Sequence, residues 1–120
     1  MRDDAEPVLI YTTWPDRASA LAGARVLVGQ GHVACANVMP GGVSVYEWDG
    51  AVHEDDECVM VLKTVRGKAE AAIAAFVTTH PYDVPAAVVV PVAGGHAPFL
   101  DWVREQTGDA PAKTSEDARR

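Results

Sequence analysis

Apolar positions recur along this chain in two rhythms, short runs that favour extended backbone and spacings of three and four that favour helix. Val8-Leu9-Ile10-Tyr11-Thr12-Thr13 is a β-branched and aromatic run ended by Trp14-Pro15. Proline suits the first position of a helix, where its missing N–H would have no partner, so strand one is expected to run straight into helix one. Ala20, Leu21, Ala24, Leu27 and Val28 fall at i, i+1, i+4, i+7 and i+8, a single apolar stripe, and Gly29-Gln30-Gly31 supplies the stop.

Val33 to Met39 is a second apolar run, broken by Pro40-Gly41-Gly42 and resumed as Val43-Ser44-Val45-Tyr46-Glu47-Trp48. A proline cannot donate to a sheet ladder, so this long strand is expected to be bulged and to lie at an edge. Asp49-Gly50 is a strong hairpin signal, because Gly tolerates the positive φ of a type I′ turn. The return arm begins at Ala51-Val52-His53 and ends with Cys58-Val59-Met60-Val61-Leu62-Lys63-Thr64.

Ala69, Ala72, Ile73, Phe76 and Val77 share one helical face, and Pro81 requires that helix to end at His80. Ala86 to Val92 reads as a strand covered on both faces. Pro98 opens a third helix with Phe99, Trp102 and Val103 on one side. The expected organisation is an N-terminal extension over 1–7, one domain over 8–107 and a loose tail over 108–120, whose composition lacks apolar periodicity. The order β-α-β-β-α-β plus a C-terminal helix is the split βαβ, ferredoxin-like arrangement of an α+β protein. Helices on one face of an antiparallel sheet leave the other face bare, so a closed oligomer is expected.

Composition narrows the function. At 120 residues the chain is one domain, and its formal net charge of −7 with no basic run argues against nucleic acid as a partner. The start, Met-Arg-Asp-Asp-Ala-Glu-Pro, is acidic where a signal peptide would be basic, and no apolar run approaches the roughly 18 residues that span a bilayer. A cytoplasmic protein without a membrane partner is expected. The two cysteines, Cys35 and Cys58, sit in apolar stretches. With Asp49-Gly50 as the turn, Cys35 is expected opposite position 66, leaving Cys58 eight residues away, roughly 26 Å and beyond disulfide reach. Both are read as buried free thiols.

Several motifs resemble one family. Ala34-Cys35-Ala36-Asn37 with Pro40-Gly41, Tyr46-Glu47-Trp48-Asp49-Gly50, Leu62-Lys63-Thr64, His80-Pro81-Tyr82-Asp83-Val84-Pro85, and Pro91 with Trp102 together resemble the CutA pattern over roughly residues 8 to 106. The resemblance implies a ferredoxin-like homotrimer similar to the PII signalling proteins and a role in tolerance of divalent cations, copper above all. It implies no agreed biochemical activity. The copper site proposed for such proteins combines the histidine of the His-Pro segment with a cysteine at the end of the first strand and a carboxylate after the second proline. Those two places hold Thr12 and Ala86 here. His80 is thus left as the one metal candidate, for weakly bound Cu(II) or another divalent cation.

Each candidate has a structural reading beside the functional one. His80 is either a ligand or a cap on the helix C-terminus. His53-Glu54-Asp55-Asp56-Glu57 could attract cations, but alternate residues of an extended arm face opposite ways, so a solvated, edge-protecting run is the other reading. Asn37, Tyr46, Trp48, Lys63 and Tyr82 are candidates to line a cleft between subunits, with Lys63 receiving an anion and the aromatics stacking on a ligand; equally, they pack at a trimer core. No phosphate loop or nucleophile elbow is present, and Arg17 falls in a helix rather than in the loop an acylphosphatase-like enzyme would need. A non-enzymatic binding or regulatory module is therefore expected, with a PII-like sensor of a small anionic metabolite as the alternative and a hydrolase as a distant third.

Overall fold

The computed structural model describes residues 3–108. After a short 3-10 turn at Asp3–Ala5 the elements run β1 (Pro7–Trp14), α1 (Arg17–Gly29), β2 (Cys35–Trp48), β3 (Ala51–Val65), α2 (Arg66–Thr79), β4 (Ala87–Pro91) and α3 (Ala97–Thr107). The strands form one antiparallel sheet in the order β2-β3-β1-β4, the ferredoxin-like arrangement expected from the sequence. Apart from Gly108, the expected tail over 108–120 lies outside the described residues.

Helix α1 begins later than the proline suggests. Asp16 is the N-cap and accepts the backbone N–H of Ser19 at 2.8 Å, a bond that also lowers the Asp16 carboxyl below its ordinary value. Pro15 therefore stands outside the helix. Gly31, at φ 77°, is the left-handed residue that ends it.

Between the sheet and the two crossover helices lies the core. The even positions of β1 (Val8, Ile10, Thr12, Trp14) and of β3 (Cys58, Met60, Leu62, Thr64) are buried against Ala20, Ala24 and Leu27 of α1 and Ala69, Ala72 and Phe76 of α2. Gly23 is required here: a Cβ at this position would lie 2.3 Å from the Trp14 ring. Val28 and Val77, expected on the apolar stripes, are exposed instead; each follows the last buried residue of its helix, Leu27 and Phe76, by one position and so points about 100° away from it. A second, smaller cluster joins Val103 of α3 to Ala34 and Val65, with Phe99 and Trp102 packed on it, as the third apolar stripe anticipated.

The long hairpin positions everything that follows. Asp49 (φ 52°) and Gly50 (φ 77°) both adopt the positive φ of the anticipated turn. A register shift between Met39 and Gly42, with Gly41 at φ 97°, is the anticipated bulge, and β2 is an edge strand. Cys35 pairs with Lys63 rather than with a residue near 66, so Cys58 is five residues away instead of eight. The conclusion on disulfides stands, since Cys35 and Cys58 form no disulfide, but only Cys58 is buried; Cys35 is half-buried.

One correction bears on assembly. Strand β4 pairs only with β1 and forms the second edge, and Val88 and Val90 are exposed, so it is covered on one face and not two. The apolar run was misleading because it carries both a core face (Ala87, Val89) and a face left open by this chain.

Candidate functional site

The open sheet face is read from the register. Val88 pairs with Tyr11, Tyr11 with Val61, and Val61 with Asn37, giving one row across all four strands. A neighbouring row runs Val90, Leu9, Lys63 and Cys35. Val88, Tyr11 and Val90 are exposed, whereas Leu9 and Lys63 line a pocket with Phe99, Leu100 and Val103 of α3. Beyond the bulge the hairpin continues as a two-stranded arm, where Val43 and Val45 share one face with Val52, which is 73% exposed. The acidic run divides as alternation requires, His53, Asp55 and Glu57 on one face and Glu54 and Asp56 on the other.

The five cleft candidates do not converge. Asn37 and Lys63 meet near the body of the sheet, where Lys63 Nζ donates to Asn37 Oδ1 at 2.5 Å and lies 5.5 Å from the Phe99 ring centroid. Tyr46 and Trp48 stand nine or more residues farther along β2, on the order of 30 Å away. There they join Tyr82 in lining a groove of about 600 Å³ with Thr13, Asp55, Glu57 and Asp83. The Tyr46 hydroxyl donates to the Asp55 carboxylate, and its ring stacks on His53 at 5.5 Å. That hydrogen bond, followed by desolvation and the nearby acids, raises the Tyr46 phenol above its ordinary value; Tyr82 is raised mainly by burial, then by Glu57 and Asp55.

His80 is 8% exposed and placed at the C-cap of α2. Its ring does not serve the helix carbonyls, as a capping role would have it. Nε2 contacts the Thr13 carbonyl at 2.8 Å and Nδ1 accepts the Tyr82 backbone N–H at 3.1 Å. Since Nδ1 accepts, Nε2 carries the proton and donates, which fixes the neutral tautomer. The ring is enclosed by Trp14, Phe76 and Tyr82, with centroids 4.3, 5.0 and 4.9 Å away.

These contacts test whether the residues suit a copper ion. Coordination needs an exposed nitrogen lone pair, and here one nitrogen is protonated while the other is already accepting a hydrogen bond. Thr12 is fully buried; its hydroxyl donates to the Met60 carbonyl at 2.8 Å and accepts the Trp14 indole N–H at 3.0 Å. Among the described residues no three His, Cys, Asp or Glu side chains are grouped to hold a metal ion. The set present within one chain does not fit the ion. The groove and the Thr12–Trp14 bond were not legible in the sequence; a threonine two residues before a tryptophan at a strand end was the available signal.

A four-stranded antiparallel sheet with crossover helices on one face, and the other face covered only in part by α3, defines a ferredoxin-like α+β protein. A family model described as CutA1 divalent ion tolerance protein matches residues 8–106. The chain belongs to that family. A divalent-cation tolerance protein CutA from Thermus thermophilus is 40% identical over 100 residues, covering 83% of this chain and 97% of that protein. The chloroplastic protein CutA of Arabidopsis thaliana is 34% identical over 83% of this chain, which spans only 55% of the length of that relative. Among solved structures, CutA1 from Thermus thermophilus superposes with a TM-score of 0.82 at 36% identity, covering 85% of this chain and 99% of that one. CutA1 from Oryza sativa gives 0.85 at 28% identity, covering 91% and 100%.

Proposed function

We propose that this protein is a homotrimeric binding or regulatory module, without catalytic activity, that acts in tolerance of divalent cations. The observation that carries the reading is the open row Val88–Tyr11–Val61–Asn37, flanked by two unpaired sheet edges and an arm with exposed valines. Burying such a face stabilises an assembly by about 25 cal/mol per Å² of apolar surface, and a three-fold ring closes edges that an isolated chain leaves open. The name of the Thermus relative and the description of the family model supply the connection to cations. Binding of Cu(II) by one chain is expected to be weak, because His80 must surrender a hydrogen bond to take part. The setting is proposed as cytoplasmic; relatives carry chloroplastic and periplasmic names. A PII-like sensor of a small anion is the second reading, favoured by Lys63 at the rim of an apolar pocket of about 220 Å³ with His96 and Phe99.

Titration of the purified protein with Cu(II) and with small carboxylates separates the two. Saturable carboxylate binding lost in Lys63→Ala would favour the sensor. Light scattering decides the assembly.

A further inference from the structure

Helix α3 is held apart from the main core. Its buried Val103 packs with Ala34 and Val65, and Phe99 and Trp102 lie partly buried on that cluster, which shares no residue with the core beneath α1 and α2. It follows β4 through residues 92–96, which form neither strand nor helix and include Gly94 and Gly95. Its N-cap, His96, makes no side-chain capping bond. An element with a small cluster of its own and a glycine-containing joint can open at less cost than the core on which it rests.

The far end of α3 is pinned by a second set of contacts. Arg104 donates its Nε–H to the Ala5 carbonyl at 2.9 Å, and Asp101 accepts another N–H of the same guanidinium at 2.8 Å. One residue on, the Glu6 carbonyl accepts the Arg66 backbone N–H at 2.8 Å, and the Glu6 carboxylate lies 3.3 Å from the Arg66 guanidinium. Asp4 fits against Gly67, where a Cβ would lie 3.0 Å from the Asp4 Cβ. The short segment before β1 thus ties the last turns of α3 to the first turn of α2.

We propose that residues 4–6 are a clasp that holds α3 on the sheet, and that α3 opens as a unit about the 92–96 joint when the clasp is released. Because Phe99, Leu100 and Val103 of α3 stand with Leu9 and Lys63 around one pocket, the clasp sets how much of the sheet face the chain presents. It depends on no second copy, metal or ligand. The test is hydrogen exchange of the full chain read by mass spectrometry. In the wild type the α3 amides are expected to exchange faster than those of β1 and β3. Arg104→Ala should speed α3 exchange roughly five- to tenfold, the factor carried by one hydrogen bond from a charged group, and leave β1 and β3 unchanged. Alanine favours helix at position 104, so faster exchange there reports the lost clasp and not a weaker helix. Gly67→Ala, which crowds Asp4 from the α2 side, should act in the same direction. Three results would each overturn the proposal: wild-type α3 amides as slow as those of β1 and β3; α3 exchange indifferent to Arg104→Ala; or equal acceleration of α3 and the sheet in that variant.

Discussion

His80 donates its Nε2–H to the Thr13 carbonyl at 2.8 Å, joining the end of α2 to the end of β1 across 67 residues of sequence. The same ring accepts the Tyr82 N–H, so a single imidazole anchors the connector that carries one wall of the groove. Its role is in holding structure, and its substitution should be felt there. His80→Ala is expected to cost about 2–4 kcal/mol in chemical denaturation, from a lost buried ring and an unpaired carbonyl. It should also reduce the weak Cu(II) affinity of the folded protein, since His80 is the one metal candidate; tight copper binding that survives His80→Ala would place the site elsewhere, with His53 to Glu57 the first place to look.

Gly23→Ala should destabilise the chain by about 1–3 kcal/mol, because the added methyl would lie 2.3 Å from a Trp14 ring that has no free space to move into. Thermal unfolding checks this. Gly29→Ala, with nothing near its Cβ, is the control and should be neutral or slightly stabilising.

Thr12→Val keeps the shape at the end of β1 but removes the acceptor of the Trp14 indole N–H and the donor to Met60. With two buried partners left unsatisfied, a loss of about 1–3 kcal/mol is expected in denaturant titration. Thr12→Ser, which keeps the hydroxyl, should recover most of it.

Three groups hold their protons above their ordinary values: Cys58 through burial, Tyr82 through burial and nearby acids, and Tyr46 through its bond to Asp55. The unfolded chain releases these protons first, so their contribution to stability is whole below the ordinary thiol value of 9.0. It declines as pH rises through that value and the phenol value of 10.0 towards the raised folded ones. Melting temperatures measured from pH 7 to 11 should fall on the alkaline side. By the same argument Cys58 should resist alkylation at neutral pH until the protein unfolds.

Local chemistry explains which parts were legible in the sequence. Asp49-Gly50 and Pro40-Gly41 specify backbone conformation by themselves, so the turn and the bulge were readable, and with them the order of the strands. Register was not: counting back from the Asp49-Gly50 turn pairs Cys35 with Thr64, not with position 66, and the bulge moves the partner one residue further, to Lys63. Periodicity also reports a face without saying what covers it, which is why Val28, Val77 and the outer side of β4 were misjudged. The five cleft candidates share a hairpin in sequence, but length along a strand separates Asn37 and Lys63 from Tyr46, Trp48 and Tyr82. Trp48 is 67% exposed in the single chain, so a packing role for it requires another copy.

The claim that this chain works as an assembly closed over its open sheet face is tested most directly by light scattering of the wild type and Val88→Glu at micromolar concentration. Val88 faces outward in the row with Tyr11, so a carboxylate there leaves the chain's own core untouched. The wild type is expected near 38 kDa, three times the 12.7 kDa chain, and folded Val88→Glu near 12.7 kDa. A wild type that scatters as a single 12.7 kDa chain, or a Val88→Glu variant that stays trimeric, would contradict it.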